Sequence, residues 1–360
     1  MNVEGELSIR IALRGNAVAE VAIASTRPRV ADKLLAGKPV EEALALVPTL
    51  FSICGRAQAN AAQLAVQAAQ GAVPDAAALA ARSRAVEAEI AQEYLWRALL
   101  DWPRATGREP ATAALAVALA ALTGADATAL RSVVESEVLG EPVEQWLDSH
   151  VAGFEIWIAR AHTAAAAHLA QVQRDGPRHG VGNVALLPPF AQPATAAAIV
   201  EGLAHDADYD RAPHIDGKPA ETGALARLRQ QALVEGRLRA YSTSTLTRLV
   251  ARVTELAQIV AGRPPAAPFV GCRMLGPNRG LGWVETARGL LLHAVELDGL
   301  RVKSYRIVAP TEWNFHPRGA LVAGLLGAHI AEEAELRRRA DWLVQALDPC
   351  VGYTLELTHA

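Results

Sequence analysis

Apolar and polar residues alternate from Leu7 to Leu13 and again from Val18 to Ala24, on either side of Arg14-Gly15-Asn16. Alternation of period two around a short polar turn predicts a β-hairpin over 6–24. The rhythm then lengthens to that of helices, predicted at Pro39–Leu46, at Gln58–Gln70 and at Ala76–Leu100. The third should stop near Asp101-Trp102-Pro103, because proline disfavours continuation. Thr112–Leu122 and Glu144–Gln173 read as further helices, the second with Trp146, Phe154, Trp157 and Ile158 on a buried stripe. Gly176–Pro193 reads as an irregular crossing, after which helices resume at Glu221–Gly236 and Ser244–Ala261 and complete a helical core over 39–262. Leu290–Glu296 and Arg301–Val308 flank Leu297-Asp298-Gly299-Leu300 and predict a second hairpin over 281–310. A last helix, Ala320–Leu347, breaks at Asp348-Pro349 and leaves a short tail within 320–360. The expected fold is mainly α within the α+β class: a helical bundle core with two short antiparallel hairpins. With no internal repeat and no low-complexity linker, the reading is a single domain over 1–360.

Composition narrows the classes. The hydrophobic fraction is 51% but aromatics are only 5%, so alanine carries much of the apolar count. Alanine favours helix and buries little area, which points to a core of closely packed helices. A net charge of -3 without a basic block argues against nucleic acid or an anionic membrane as partner. The N-terminus lacks the pattern of a secretory signal, and Ala111–Leu122 is short of the roughly 20 residues that span a bilayer. Three cysteines make an extracellular disulfide framework improbable, so a cytoplasmic protein with reduced thiols is expected.

Two of those cysteines each look like half of a metal-binding pair. Cys54 sits in Ile53-Cys54-Gly55-Arg56-Ala57 and Cys350 in Asp348-Pro349-Cys350-Val351-Gly352-Tyr353, with Ala57 and Tyr353 where Cys-x-x-Cys would place a second thiolate. Two thiolates can hold an ion but cannot do the chemistry that needs four. Cys272 has no such surroundings and reads as a buried or surface thiol. His359 stands beside the last motif as a candidate ligand or a tail histidine, and no His-x-x-x-His pair suggests zinc. Gly280-Leu281-Gly282 is too little to imply a nucleotide site.

The blocks around both cysteines resemble the large subunit of nickel–iron hydrogenases. Val3-Glu4-Gly5-Glu6-Leu7 is similar to that family's opening Ile-Glu-Gly-His-Leu, and Ile53-Cys54-Gly55 to the first half of its Arg-x-Cys-Gly-x-Cys motif. Glu285-Thr286-Ala287-Arg288-Gly289 with Pro310-Thr311-Glu312-Trp313-Asn314 resembles its Glu-Ala-Pro-Arg-Gly and Pro-Thr-x-Trp-Asn stretches. Asp348-Pro349-Cys350 opens its closing Asp-Pro-Cys-x-x-Cys motif. Weaker matches lie at Glu221-Thr222-Gly223 and Leu99-Leu100-Asp101-Trp102.

The departures are equally specific. Ala57 and Tyr353 replace the second cysteines, Ala61 stands where the first motif carries a histidine, and Glu356 stands at the matching position of the last. This combination resembles the HupK type of hydrogenase expression/formation accessory protein. The resemblance implies that Cys54 and Cys350 are metal contacts, and that Glu4, Asp101, Arg288 and Asp348 form a charged roof over them. It implies no stable nickel, but a transient iron carrying cyanide and carbon monoxide, held or handed on by a non-catalytic scaffold. Hydrogenase maturation chaperones and the hydrogenase large-subunit precursor would be its partners. Two other readings stay open: a divergent hydrogenase-like catalytic subunit, or a metal-free structural or electron-transfer subunit as in respiratory complex I. For Arg288 and Asp101 the bland alternative is a buried structural ion pair.

Overall fold

The computed structural model describes residues 5–26, 30–51, 54–176, 178–329 and 331–359. The chain falls into two compact units, one of Met1–Val86, Gly182–Ala226 and Ala267–Ala360, the other of Glu87–Val181 and Arg227–Ala266. All strands among the described residues lie in the first unit. They are β1 (Glu6–Arg14), β2 (Ala17–Ser25), β3 (Ala185–Leu186), β4 (Ala220–Glu221), β5 (Val270–Gly276), β6 (Arg279–Thr286), β7 (Gly289–Asp298), β8 (Arg301–Val308) and β9 (Gly352–His359).

The first hairpin forms as its alternation predicts: β1 and β2 pair antiparallel, and Leu7, Ile9, Ile11 and Leu13 turn inward and are buried. The predicted tail is instead a strand. β9 lies parallel to β1, from Glu6 opposite Gly352 to Leu13 opposite His359, in a sheet of order β2-β1-β9. Its alternation (Tyr353, Leu355 and Leu357 against Thr354, Glu356 and Thr358) is present in the sequence but short and only half-buried. The β1 face packs on Leu336, Leu343 and Leu347 of the helix Glu333–Leu347. That helix is separate from Ala320–Leu325, where one continuous helix was expected. The break lets Gly327 and Ala328 pair with Val18 of β2, with Gly327 in the left-handed region at φ 76°.

The second hairpin is likewise larger than expected, a four-stranded antiparallel sheet of order β5-β6-β7-β8. Gly271, Gly280 and Gly282 obscure the first two strands, since glycine weakens a strand pattern. The structure shows why they are there. A Cβ on Gly280 would lie 2.1 Å from the Ala65 carbonyl oxygen, and one on Gly282 would lie 2.2 Å from that of Ala61. β6 therefore rests directly on the backbone of the helix Gly55–Ala69, which offers Ala57, Ala61, Ala65 and Ala69 at every fourth position, all buried.

Among the described residues, the regular elements of the second unit are all helices. The helix Thr245–Val260 is buried along nearly its whole length, and Trp146 donates to Thr254 Oγ1 at 3.2 Å. The predicted stripe holds: Trp146, Phe154, Trp157 and Ile158 are all buried. Glu144–Gln173 is nevertheless three helices, Val143–Leu147, Val151–Arg160 and Ala164–Arg174. Ala161 enters the left-handed region at φ 45°, and the Thr163 hydroxyl accepts from Ala166 N to cap the third. Glu221–Gly236 is also divided, into β4, Ala224–Arg227 and Ala232–Tyr241. Past Trp96 the helical backbone widens into a π-type turn at Arg97–Asp101 and continues into Trp102–Ala105, so the expected stop before Pro103 does not occur; the Leu99 carbonyl, one turn before the proline, accepts from Ala111 N at 2.8 Å instead.

Candidate functional site

The helix Glu333–Leu347 ends on Asp348, whose left-handed backbone (φ 55°) lets its N–H donate to the Val344 carbonyl at 2.7 Å. That turn delivers Cys350 to the short helix Pro310–Asn314. The Cys350 N–H donates to Thr311 Oγ1 at 3.2 Å, and Cys350 Sγ lies 3.0 Å from the same oxygen. Asp348 is buried, and its Oδ2 lies 3.7 Å from Nε of Arg288, also buried.

Arg288 occupies the tight turn between β6 and β7. Thr286 Oγ1 accepts from Arg288 N at 3.2 Å and donates to the Gly289 carbonyl at 2.9 Å. Asn314 joins this turn to the Pro310–Asn314 helix: its Nδ2 donates to the Arg288 carbonyl and its Oδ1 accepts from Thr222 N, both at 3.0 Å. Thr222 Oγ1 accepts from Leu290 N at 3.0 Å. The two turns touch so closely that a Cβ on Gly289 would lie 2.3 Å from Thr222 Cγ2. Stretches near residues 222, 288, 311 and 348, far apart in sequence, thus converge around Cys350.

Cys54 is the residue preceding the helix Gly55–Ala69 and is half-buried. One turn along, Gln58 folds its side chain back so that Nε2 donates to Cys54 Sγ at 3.6 Å. Gln58 Oε1 lies 2.8 Å from His293 Nε2, and His293 Nδ1 lies 2.7 Å from the Tyr305 hydroxyl. Cys54, Cys350, Arg288 and Asp348 all belong to the first unit.

The other predicted residues fare differently. Asp101 belongs to the second unit, is one-third exposed, and engages Arg97 at 2.5 Å and Arg104 at 3.7 Å on its own helical segment. Glu4 lies outside the described residues. Cys272 sits on β5 opposite Gly282, where burial pushes its thiol up. His359 is no frayed tail: it ends β9 and meets Glu333 Oε1 at 2.7 Å on the surface. Tyr353, in place of a cysteine, donates to Asp341 Oδ1 at 3.1 Å, and Glu356 forms an exposed pair with Arg10 at 3.2 Å.

The sequence marks Gln58 only as the start of a helix and Thr311 only as part of the Pro310–Asn314 motif, and it does not single out His293. The four-residue spacing from Cys54 to Gln58 is the one signal that marks Gln58 in advance. Among the described residues no group of three or more His, Cys, Asp or Glu side chains is arranged to hold a metal ion. A cavity of about 450 Å³ in the first unit is lined by Asp32, Asp210, Arg211, Arg306 and Glu312 among others, and by neither cysteine. No helix among the described residues is long and apolar enough to cross a membrane.

Known proteins give this arrangement its context. The sequence profile of the nickel-dependent hydrogenases matches residues 272–353, which include Arg288, Thr311 and Cys350. Over 94% of its length the chain is 35% identical to the hydrogenase expression/formation protein HoxV of Cupriavidus necator, covering 93% of that protein. Over its full length it is 32% identical to the hydrogenase expression/formation protein HupK of Bradyrhizobium diazoefficiens, covering 99% of it. The chain belongs to the hydrogenase expression/formation family. This family member keeps a hydrogenase fold: the Ni-Fe-Se hydrogenase of Desulfovibrio vulgaris Hildenborough in the reduced state aligns over 97% of both chains at a TM-score of 0.62 and 16% identity. The expected α+β fold of the hydrogenase large subunit is borne out. Within it, the expression/formation protein fills both second-cysteine positions with residues that give no thiolate, a buried Ala57 and a Tyr353 hydrogen-bonded to Asp341.

Proposed function

We propose that this protein is a non-catalytic accessory factor of nickel–iron hydrogenase maturation, acting in the cytoplasm. In this reading Cys54 and Cys350 hold or hand on an iron fragment that carries cyanide and carbon monoxide. The observation that carries the reading is the 35% identity, over nearly the whole of both chains, to a protein named for hydrogenase expression and formation. The maturation chaperones and the large-subunit precursor are the partners this role requires.

The residues supply a coherent chemistry. Soft thiolates suit iron with strong-field ligands, and two of them leave the remaining positions to the fragment's own diatomic ligands. Fewer protein bonds also make release easier, as a carrier requires. Thr311 Oγ1 already accepts the Cys350 N–H, so its hydroxyl proton is available to the sulfur 3.0 Å away. Arg288 offers five N–H donors in a plane, with Nε facing Asp348, and suits a cyanide nitrogen at the edge of an anionic fragment. The buried Ala57 and the hydrogen-bonded Tyr353 favour custody over hydrogen chemistry, since neither gives a bridging thiolate.

The test is to produce the protein together with the maturation machinery, then measure iron and the infrared bands of bound cyanide and carbon monoxide. Both are expected in the parent, and Cys54→Ser or Cys350→Ser should each weaken the bands. Well-folded parent protein without iron or bands in repeated preparations would remove the carrier role and leave a docking role alone.

A further inference from the structure

Three side chains of the first unit form an unbroken line behind Cys54. Gln58, His293 and Tyr305 are 1%, 0% and 2% exposed, and they link Sγ to the Tyr305 hydroxyl through contacts of 3.6, 2.8 and 2.7 Å. The direction of this line follows from one end. With the Gln58 amide nitrogen on the sulfur, its oxygen is the atom that meets His293, and an amide oxygen only accepts. His293 must then carry its proton on Nε2, which leaves Nδ1 as an acceptor and makes Tyr305 the donor. Burial pushes the Tyr305 hydroxyl well above the usual tyrosine range, so it keeps the proton it donates. Every proton in the line points toward Cys54.

We infer that Gln58, His293 and Tyr305 form a positioning relay that presents the Cys54 sulfur to its cargo as a hydrogen-bond acceptor in a fixed orientation. This rests on the reading of Cys54 as a cargo ligand and adds to it how the ligand is tuned. A sulfur that accepts an N–H hydrogen bond donates less electron density to a bound metal, and such outer contacts both orient the ligand and set its strength. The relay thus holds the Cys54 thiolate in one direction and stabilises its charge, which favours metal binding even as it lowers the electron density given to the bound metal. Gln58, His293 and Tyr305 act through Cys54 and are positioning residues.

The first test needs no metal. Nitrogen NMR of histidine-labelled protein should show His293 as the Nε2–H tautomer; an Nδ1–H tautomer overturns the relay. The second is cadmium titration of the metal-free protein, followed by thiolate-to-metal absorption. Gln58→Leu should bind about 10- to 100-fold more weakly, the usual effect of losing such a contact. Tyr305→Phe, which keeps the ring and its packing, should fall between parent and Gln58→Leu. Affinities equal to the parent in folded variants overturn the inference. In iron-loaded protein Gln58→Leu should also move the carbon monoxide band to lower wavenumber, because the sulfur then gives more electron density to iron. An unmoved band counts against the relay, whereas a parent without any band counts against the carrier role, so the two failures are distinguishable.

Discussion

Gly282→Ala tests the packing that places Cys54. The new methyl carbon would stand 2.2 Å from the Ala61 carbonyl oxygen, 2.6 Å from Ala65 N and 2.9 Å from Leu64 Cβ. Ordinary contacts need about 3.5 Å, so the strand and helix must separate by roughly 1 Å. Two of the three obstructing atoms are backbone, so no rotamer change relieves the clash. Overpacking typically costs about 1–3 kcal/mol, and a collision between backbones belongs at the upper end, ~3 kcal/mol. For a unit of this size each kcal/mol lowers the midpoint by about 2–4 °C, which gives a fall of roughly 6–12 °C. Gly352→Ala is the control, because an added Cβ there meets nothing within 4 Å and φ is not positive. It should be neutral or stabilising, by up to ~1 kcal/mol. Thermal melts and urea titrations read both variants. If Gly282→Ala matches the parent within ~0.5 kcal/mol, the range of ordinary surface changes, β6 does not rest on this helix and the account of Ala57 and Ala61 fails.

Other expectations concern charge in each unit. His168 is fully buried against Trp102, with ring centroids 5.0 Å apart, and burial pushes its pKa down to about 3. The unfolded chain takes up a proton below a pKa of about 6.5 that the folded chain refuses, so stability should fall as pH drops below that value, by up to ~1.4 kcal/mol per pH unit. His316 acts in the same sense, held at about 4 by burial, with Arg318 and His214 adding. Urea midpoints across mildly acidic pH should show the slope in the parent and a shallower one in His168→Phe; parallel slopes would refute it. In the second unit Arg227 grips Glu255 with Nε at 2.7 Å and Nη2 at 2.6 Å, and Tyr94 donates to the same carboxylate at 2.7 Å. Arg227→Met should cost about 3–5 kcal/mol in a denaturation assay, with much of the loss recovered in Arg227→Met/Glu255→Met. No recovery would mean the pair is worth more than the desolvation it requires.

How legible the fold was depended on what each residue type announces. Long periodic segments such as Ser244–Ala261 were readable because one rhythm runs through them. The first hairpin was readable because Leu7, Ile9, Ile11 and Leu13 alternate without interruption. β5 and β6 were not, because the glycines that let them approach the Gly55–Ala69 helix also erase the side-chain pattern of a strand. The break between Val151–Arg160 and Ala164–Arg174 rests on Ala161 in a left-handed conformation, which an alanine does not announce. Within the site, Arg288, Asp348 and Cys350 could be marked from their flanking motifs. The roles of Thr311, though it lies in a motif, and of Gln58, marked only by its spacing from Cys54, could not, because an uncharged hydrogen-bonding side chain gains meaning only once its partner sulfur is in place. Asp101, marked by the same kind of motif, instead satisfies two arginines of its own segment.

The parallel pairing of β1 with β9 sets an order of events during synthesis. Arg10 and Glu356, joined across those strands, are 346 residues apart. β1 must therefore wait after leaving the ribosome, with one edge uncovered, until β9 has followed it. Cys350 lies just ahead of β9, so its surroundings can form only after the segments that carry Arg288 and Thr311 have emerged. Loading with cargo would then follow the emergence of β9, and deleting Gly352–His359 should leave a protein that is made but never matures into its compact first unit.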